Sequence, residues 1–202
     1  MRIDTRFSKE IALLFAWQAV ADVIPNLYPW HITDVYTSTA SSGSNGSISF
    51  LVSDPNTIPG PPSDSIPNTY PHFNKSQAAC SVEWNSTTVW GSQGFLCDGW
   101  TEDEAFHFLL PNVHGIEDTL QLTSTLTLNI SRTMQILFND TYYHKNFSAQ
   151  VHFQSSEELK GGCDSHSGIC TWSLKGSHTP TLVNQDMVSC DGDCYPYGWG
   201  GW

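Results

Sequence analysis

The chain has 202 residues, 8 Lys/Arg against 20 Asp/Glu and a formal charge of −12, a balance that repels phosphate backbones and anionic bilayers. Neither nucleic acid nor a membrane is therefore expected as a partner. Hydrophobic residues make up 39% of the chain, enough for one domain of this size to bury a core, which sets aside the disordered class.

Met1 to Glu10 (MRIDTRFSKE) carries Arg2, Arg6 and Lys9, and Ile11 to Val20 (IALLFAWQAV) is apolar apart from Gln18. Ala19-Val20-Ala21 then supplies the small-x-small pattern of a signal-peptidase site, so residues 1–21 read as a cleaved secretory signal. The apolar run falls short of the ~20 residues that span a bilayer. Its competing reading is a buried N-terminal helix. From Asp22 onward five Lys/Arg face eighteen Asp/Glu, a formal charge of −13. Six Asn-x-Ser/Thr acceptors follow, at Asn45, Asn74, Asn85, Asn129, Asn139 and Asn146, where chance would place roughly two. With six cysteines they point to a glycosylated, disulfide-bonded protein of the secretory pathway or extracellular space.

Apolar residues recur with period two almost throughout, the signature of strands. Trp30, Ile32, Asp34 and Tyr36 share one parity, and Ile48, Phe50 and Val52 alternate next. Ser38 to Ser47 is a Ser/Gly turn, and Ser53 to Pro71 holds six of the eleven prolines and reads as one irregular connection. In CSVEWNSTTVWGSQGFLCDGW (Cys80–Trp100) the even positions Val82, Trp84, Thr88 and Trp90 are expected to face inward, with Cys80 and Cys97 tying neighbouring strands or a strand to its loop. Closing such a loop contributes about 3 kcal/mol in the chain-entropy account. Phe106 and Phe108 alternate after the acidic run Glu102-Asp103-Glu104. Leu120, Leu122, Leu126, Leu128 and Ile130 then form the clearest one-sided strand, followed by Met134, Ile136 and Phe138 and by Phe147, Ala149, Val151 and Phe153. Asn85, Asn129 and Asn139 fall at polar parity and Asn146 opposite the Phe147 face, so their glycans would mark the outer surface. The tail Tyr195 to Trp202 (YPYGWGGW) has no period and is expected to be flexible. The expected fold is a single all-β domain over 22–194, an antiparallel β-barrel or β-sandwich.

No nucleophile elbow, HExxH helix or phosphate-binding glycine loop occurs. Cys163 to Cys170 (CDSHSGIC) with His166 matches no common zinc spacing, so a local disulfide is the better reading and no metal is expected. Cys190 and Cys194 pair with each other or cross to Cys163 or Cys170, since six cysteines allow fifteen connectivities. The run Glu102-Asp103-Glu104 is a candidate for a glycosidase carboxylate pair, but a solvated loop explains it better. More informative are carboxyls and phenols at inward parity: Asp34 and Tyr36, and Asp140 and Tyr142 continuing the Met134 face. In an apolar interior these would serve as hydrogen-bond donors to a ligand, with Arg132 and Lys145 as neighbouring partners and Trp84 and Trp90 as walls. A strand bulge or a turn at these positions would defeat that reading.

The Trp-x-Ile-Thr strand from Trp30, the Gly-x-Ile-x-Phe-x-Val-x-Asp strand Gly46 to Asp54, the Cys80 and Cys97 pair, Phe106-x-Phe108 and the Leu-alternating strand together resemble the secreted fungal β-barrel proteins of the Alternaria major allergen type. The resemblance covers roughly Trp30 to Phe153, and the C-terminal cysteines and Gly/Trp tail depart from it. More loosely, the chain resembles the secreted hetero-Diels–Alderases of fungal tropolone–sesquiterpene pathways. That likeness implies cofactor-free cyclisation of an apolar small molecule, which needs orientation and a hydrogen bond to a carbonyl and no nucleophile. The alternative it leaves is a non-enzymatic effector or allergen-like protein acting on a host partner.

Overall fold

The computed structural model describes residues 27–40, 45–60, 71–85, 94–110, 125–154 and 157–190. The leader, Thr88, Trp90, Leu120, Leu122, Cys194 and the aromatic tail lie outside them. The described chain is all-β and antiparallel. Its strands are β1 (Trp30–Ala40), β2 (Gly46–Asp54), β3 (Ile58–Pro59), β4 (His72–Phe73), β5 (Ser76–Trp84), β6 (Phe95–Leu96), β7 (Glu104–Leu109), β8 (Thr125–Phe138), β9 (Thr141–Gln154), β10 (Leu159–Asp164), β11 (Ile169–Leu174), β12 (Thr181–Val183) and β13 (Asp186–Cys190). One sheet has the order β10-β11-β1-β2-β5 with β12 also on β1; the second has the order β13-β9-β8-β7-β6, and β3 pairs with β4 alone. Among the described residues no helix is long and apolar enough to cross a membrane.

The sheets face each other as a sandwich. Phe50 of the first meets Phe108 of the second edge to face at 5.1 Å, and Trp30 meets Phe106 at 5.6 Å. Alternation drives this packing: Ile48, Phe50 and Val52 from β2 and Leu126, Leu128 and Ile130 from β8 are all buried in one cluster. The two apolar runs expected around Leu126 and Met134 are one unbroken strand, because even positions stay buried from Leu126 through Met134. Along one side the chain laces the sheets together. Asp98 donates its N–H to the Ala79 carbonyl at 2.7 Å, and Cys80 on β5 is bonded to Cys97 just after β6. Cys163 is bonded to Cys170 across β10 and β11, and Cys190 is disulfide-bonded as well. These bonds are compatible with an extracellular or secretory location.

Two local features overturn the inward placement expected for Asp34, Tyr36, Asp140 and Tyr142. β1 pairs Thr33 with Leu51 but Tyr36 with Ser49, so two residues of β1 oppose one of β2. Asp34 takes the left-handed conformation in this bulge (φ 53°). The bulge reverses the parity: Trp30 and Ile32 point inward before it, and Val35, Thr37 and Thr39 after it, leaving Asp34 and Tyr36 exposed. In the β8–β9 hairpin Asn139 and Asp140 both have positive φ (50° and 61°), a two-residue turn of type I′. Phe138 pairs with Thr141 and Leu137 with Tyr142, so Asp140 sits at the tip and Tyr142 is exposed beside the ring of His144. A non-glycine residue in the second turn position is strained. Asp140→Gly is expected to raise stability by roughly 0.5–1 kcal/mol, read as a higher urea midpoint at unchanged slope. A lower midpoint would mean that the Asp140 side chain supports the turn.

Candidate functional site

The two ends of the sandwich bury polar groups in opposite ways. At the end where β2 finishes, Arg132 on β8 is fully buried, and each of its three guanidinium nitrogens donates a hydrogen bond. Nε donates to Glu104 Oε1 at 2.8 Å, one terminal nitrogen to Asp54 Oδ2 at 2.5 Å and the other to the Asn74 carbonyl at 2.6 Å. The Phe106 ring lies 5.5 Å from Cζ. Ser76 adds a hydrogen bond to Glu104. Asp54 Oδ1 accepts from the Asn56 N–H at 2.8 Å and from Asn56 Nδ2 at 2.6 Å, and Asn56 in turn holds the backbone of Tyr28 through both its amide atoms. Lys145 is buried nearby over the Phe73 ring. Of the acidic run, Glu102 and Asp103 are exposed and Glu104 alone turns in. Arg132 bonds Asp54 and Asn74 of one sheet's margin and Glu104 of the other sheet, so the role of this ion cluster is to join the sheets.

The opposite end is built in two rows that follow from strand register. Cys170 pairs with Thr39, Thr39 with Gly46, and Gly46 with Trp84. One step inward, Trp172 pairs with Thr37, Thr37 with Ile48, and Ile48 with Val82. Paired residues share a face, and Thr37 and Thr39, with 3% and 2% of their surface exposed, show that the face is the inner one. Thr39 and Gly46 thus occupy the middle of the first row and Thr37 and Ile48 the middle of the second, and a tryptophan stands on either flank. A Cβ on Gly46 would collide with the Trp84 ring and the Ser38 carbonyl, so glycine is what lets this ring lean across the row.

Three polar atoms in these rows have no hydrogen-bond partner: Thr37 Oγ1, Thr39 Oγ1 and Trp172 Nε1. Directly paired side chains have Cβ atoms about 5 Å apart, and next-but-one residues of a strand are about 7 Å apart, so the three groups converge on one patch. Leaving each unsatisfied costs about 1–3 kcal/mol. The indole N–H can only donate, and a hydroxyl can donate or accept. No residue of the two rows is charged, so the patch suits neutral acceptor oxygens on an apolar body. Trp30 Nε1 is also unpartnered, but it stands alone against Phe106 at the other end.

Of the residues singled out from sequence, Trp84 is buried and flanks this patch, while Trp90 lies outside the described residues. Asp34 and Tyr36 lie on the outer face of β1, and Asp140 and Tyr142 at the hairpin tip; none reaches the interior. Thr37 and Thr39 are not legible from the sequence because the bulge sets their parity, and Trp172 is not because six-residue β11 carries no clear alternation. In the CDSHSGIC loop both sulfurs are taken up in a disulfide, and His166 is 97% exposed. Asp164 accepts the His166 N–H at 2.9 Å and the Ser167 hydroxyl at 2.9 Å, which hold its carboxyl below the usual carboxylate range. Among the described residues no group of three or more His, Cys, Asp or Glu is placed to hold a metal ion.

Fold and site together define an all-β, disulfide-bonded two-sheet protein with unpaired donors inside an apolar interior. No protein-family model matches the chain, and neither curated proteins nor solved structures give a significant match.

Proposed function

We propose that the protein is a secreted, glycosylated β-sandwich that holds a neutral, apolar small molecule by its carbonyl oxygens between the sheets, and that it promotes cyclisation of that molecule without a cofactor. The observation that carries this reading is the convergence of Thr37, Thr39 and Trp172, three buried hydrogen-bonding groups with nothing to bond. A fold that gains nothing from them loses several kcal/mol, whereas a bound carbonyl recovers the loss. Donors preset around a carbonyl stabilise the negative charge it gains as a cycloaddition proceeds, and loss of one such donor slows a reaction by about 10²–10³-fold in comparable sites. The resemblance to secreted fungal cyclases supports the assignment to specialised metabolism, and the disulfides agree with secretion.

Replacing Thr37 and Thr39 by valine tests the binding half. Each change keeps the branched shape and removes an unsatisfied hydroxyl, so the ligand-free protein is expected to gain about 1 kcal/mol per site in urea unfolding. Ligand affinity is expected to fall at the same time. Loss of stability would assign the hydroxyls to the fold. Deleting the gene in its native host tests the cyclisation half: a cyclised product should vanish while its open precursor accumulates, and an unchanged metabolite profile would reject it.

A further inference from the structure

Among the described residues the β8–β9 hairpin outruns its neighbours. Within these residues, which end at Cys190, β7 pairs with β8 as far as Glu104 opposite Met134, and β13 pairs with β9 as far as Cys190 opposite Lys145. Beyond these points the ribbon is tied to the sandwich by Ile136, which packs against the core, and by Gln135, whose N–H donates to the Asp103 carbonyl and whose Nε2 donates to the Glu102 carbonyl. A two-stranded ribbon is marginal by itself in water, yet this one shows Leu137 and Tyr142 to solvent, 54% and 53% exposed. The sequon Asn139-Asp140-Thr141 falls within its turn. Asn139 is exposed in the left-handed conformation, and the pair closing the turn is Phe138 opposite Thr141.

The surroundings of the other sequons differ. Asn129 accepts a hydrogen bond from Gln150 at 2.7 Å, and Asn146 donates one to Ser189 at 2.6 Å; both are half-buried within strands. Asn74 and Asn85 each follow an aromatic residue, but Phe73 and Trp84 are sunk in the core, 6% and 4% exposed. Asn45 follows a serine. Phe138 alone combines an adjoining exposed sequon with an aromatic side chain that is not sunk in the core.

We infer that Asn139 carries an N-linked glycan whose first N-acetylglucosamine packs its C–H face on the Phe138 ring, making the sugar a structural part of the hairpin tip. The inference rests on the secreted, glycosylated reading above. Attachment joins Asn139 Nδ2 to C1 of the sugar and breaks the C1–O bond to the pyrophosphate of a lipid-linked oligosaccharide; one amide proton leaves with the lipid pyrophosphate. A pyranose shows C–H groups on one face, and the electron-rich face of an aromatic ring attracts them while both lose water. The type I′ turn keeps sugar and ring together, because only the closing pair adjoins its two residues.

The test uses the full chain secreted from a glycosylating eukaryotic host. Glycopeptide mass spectrometry is expected to find Asn139 occupied. Urea unfolding is then measured for the wild type and Phe138→Ala, each once with Asn139 glycosylated and once carrying Asn139→Asp, which removes the glycan, keeps a residue that tolerates the left-handed turn and leaves Thr141 opposite position 138. The glycan is expected to favour the folded state about fivefold with Phe138 present and less than about twofold without it, the non-additivity of touching groups. Enzymatic trimming to a single N-acetylglucosamine should preserve the effect. An occupied Asn139 with no coupling to Phe138, or an empty Asn139 beside other occupied sequons, overturns the inference and leaves the glycoprotein reading standing. If every sequon is empty, both fall.

Discussion

Arg132→Met is expected to lower stability by about 3–5 kcal/mol, the usual consequence of stranding a buried charge. Arg132 has no exposed surface, and its main partner Asp54 is 1% exposed, so removal of the guanidinium leaves a carboxylate with no route to water. Glu104 fares better, being 26% exposed. The Asn74 carbonyl loses its donor as well. Because methionine fills much of the arginine volume, the loss reports on charge and hydrogen bonding more than on packing. Adding Asp54→Asn to Arg132→Met removes the stranded charge, while its amide oxygen still accepts from Asn56; this second change should restore part of the loss. Urea unfolding of the wild type, both single variants and the pair checks the prediction. A loss under about 1 kcal/mol, or an Asp54→Asn change that deepens it, would show that the ion cluster is not what joins the sheets at this end.

The second large effect belongs to the bond between Cys80 and Cys97. Its sequence separation of 17 corresponds to about 3 kcal/mol of loop-closure entropy, against about 2 for the separation of 7 between Cys163 and Cys170. Position widens the difference. Cys80 and Cys97 are each 1% exposed and lock the margin where the chain passes between sheets, whereas the second bond spans two strands that their own ladder already holds in register. Replacing Cys80 and Cys97 by alanine should therefore cost at least about 3 kcal/mol and quicken hydrogen exchange along β5 and β6. Replacing Cys163 and Cys170 should cost less and leave that exchange unchanged. The reverse order would mean that the β10–β11 hairpin, and not the laced margin, limits stability.

Much of the fold could be read from alternation because a half-buried strand writes its burial into residue types at period two. Leu126 to Ile130 and Phe147 to Phe153 obey it, and the outward parity of Asn129 follows directly. The candidate site could not be read in the same way, since parity survives only while the strand is regular. Asp34 adopts positive φ, which aspartate tolerates, but a lone aspartate within an alternating run does not by its type announce a bulge. The three-residue step from Ile32 to Val35, both buried, was the available sign. At Asn139-Asp140 the signal was stronger, because both residues tolerate left-handed conformations and stand between alternating runs. Reading through that turn placed Tyr142 inside when the chain had already reversed. The Arg132 cluster was hidden for another reason: Asp54 and Arg132 are 78 residues apart, and no local pattern reports a contact across the sandwich.

Native mass spectrometry of the protein, after incubation with an organic extract of its host's culture, tests the central claim most directly when the wild type is compared with the Thr37→Val/Thr39→Val double variant. The account predicts that the wild type retains a neutral small molecule of defined mass, that the double variant loses it, and that the double variant is the more stable protein without ligand. Equal retention by both proteins, or none by the wild type, would contradict the assignment of these buried hydroxyls to a ligand.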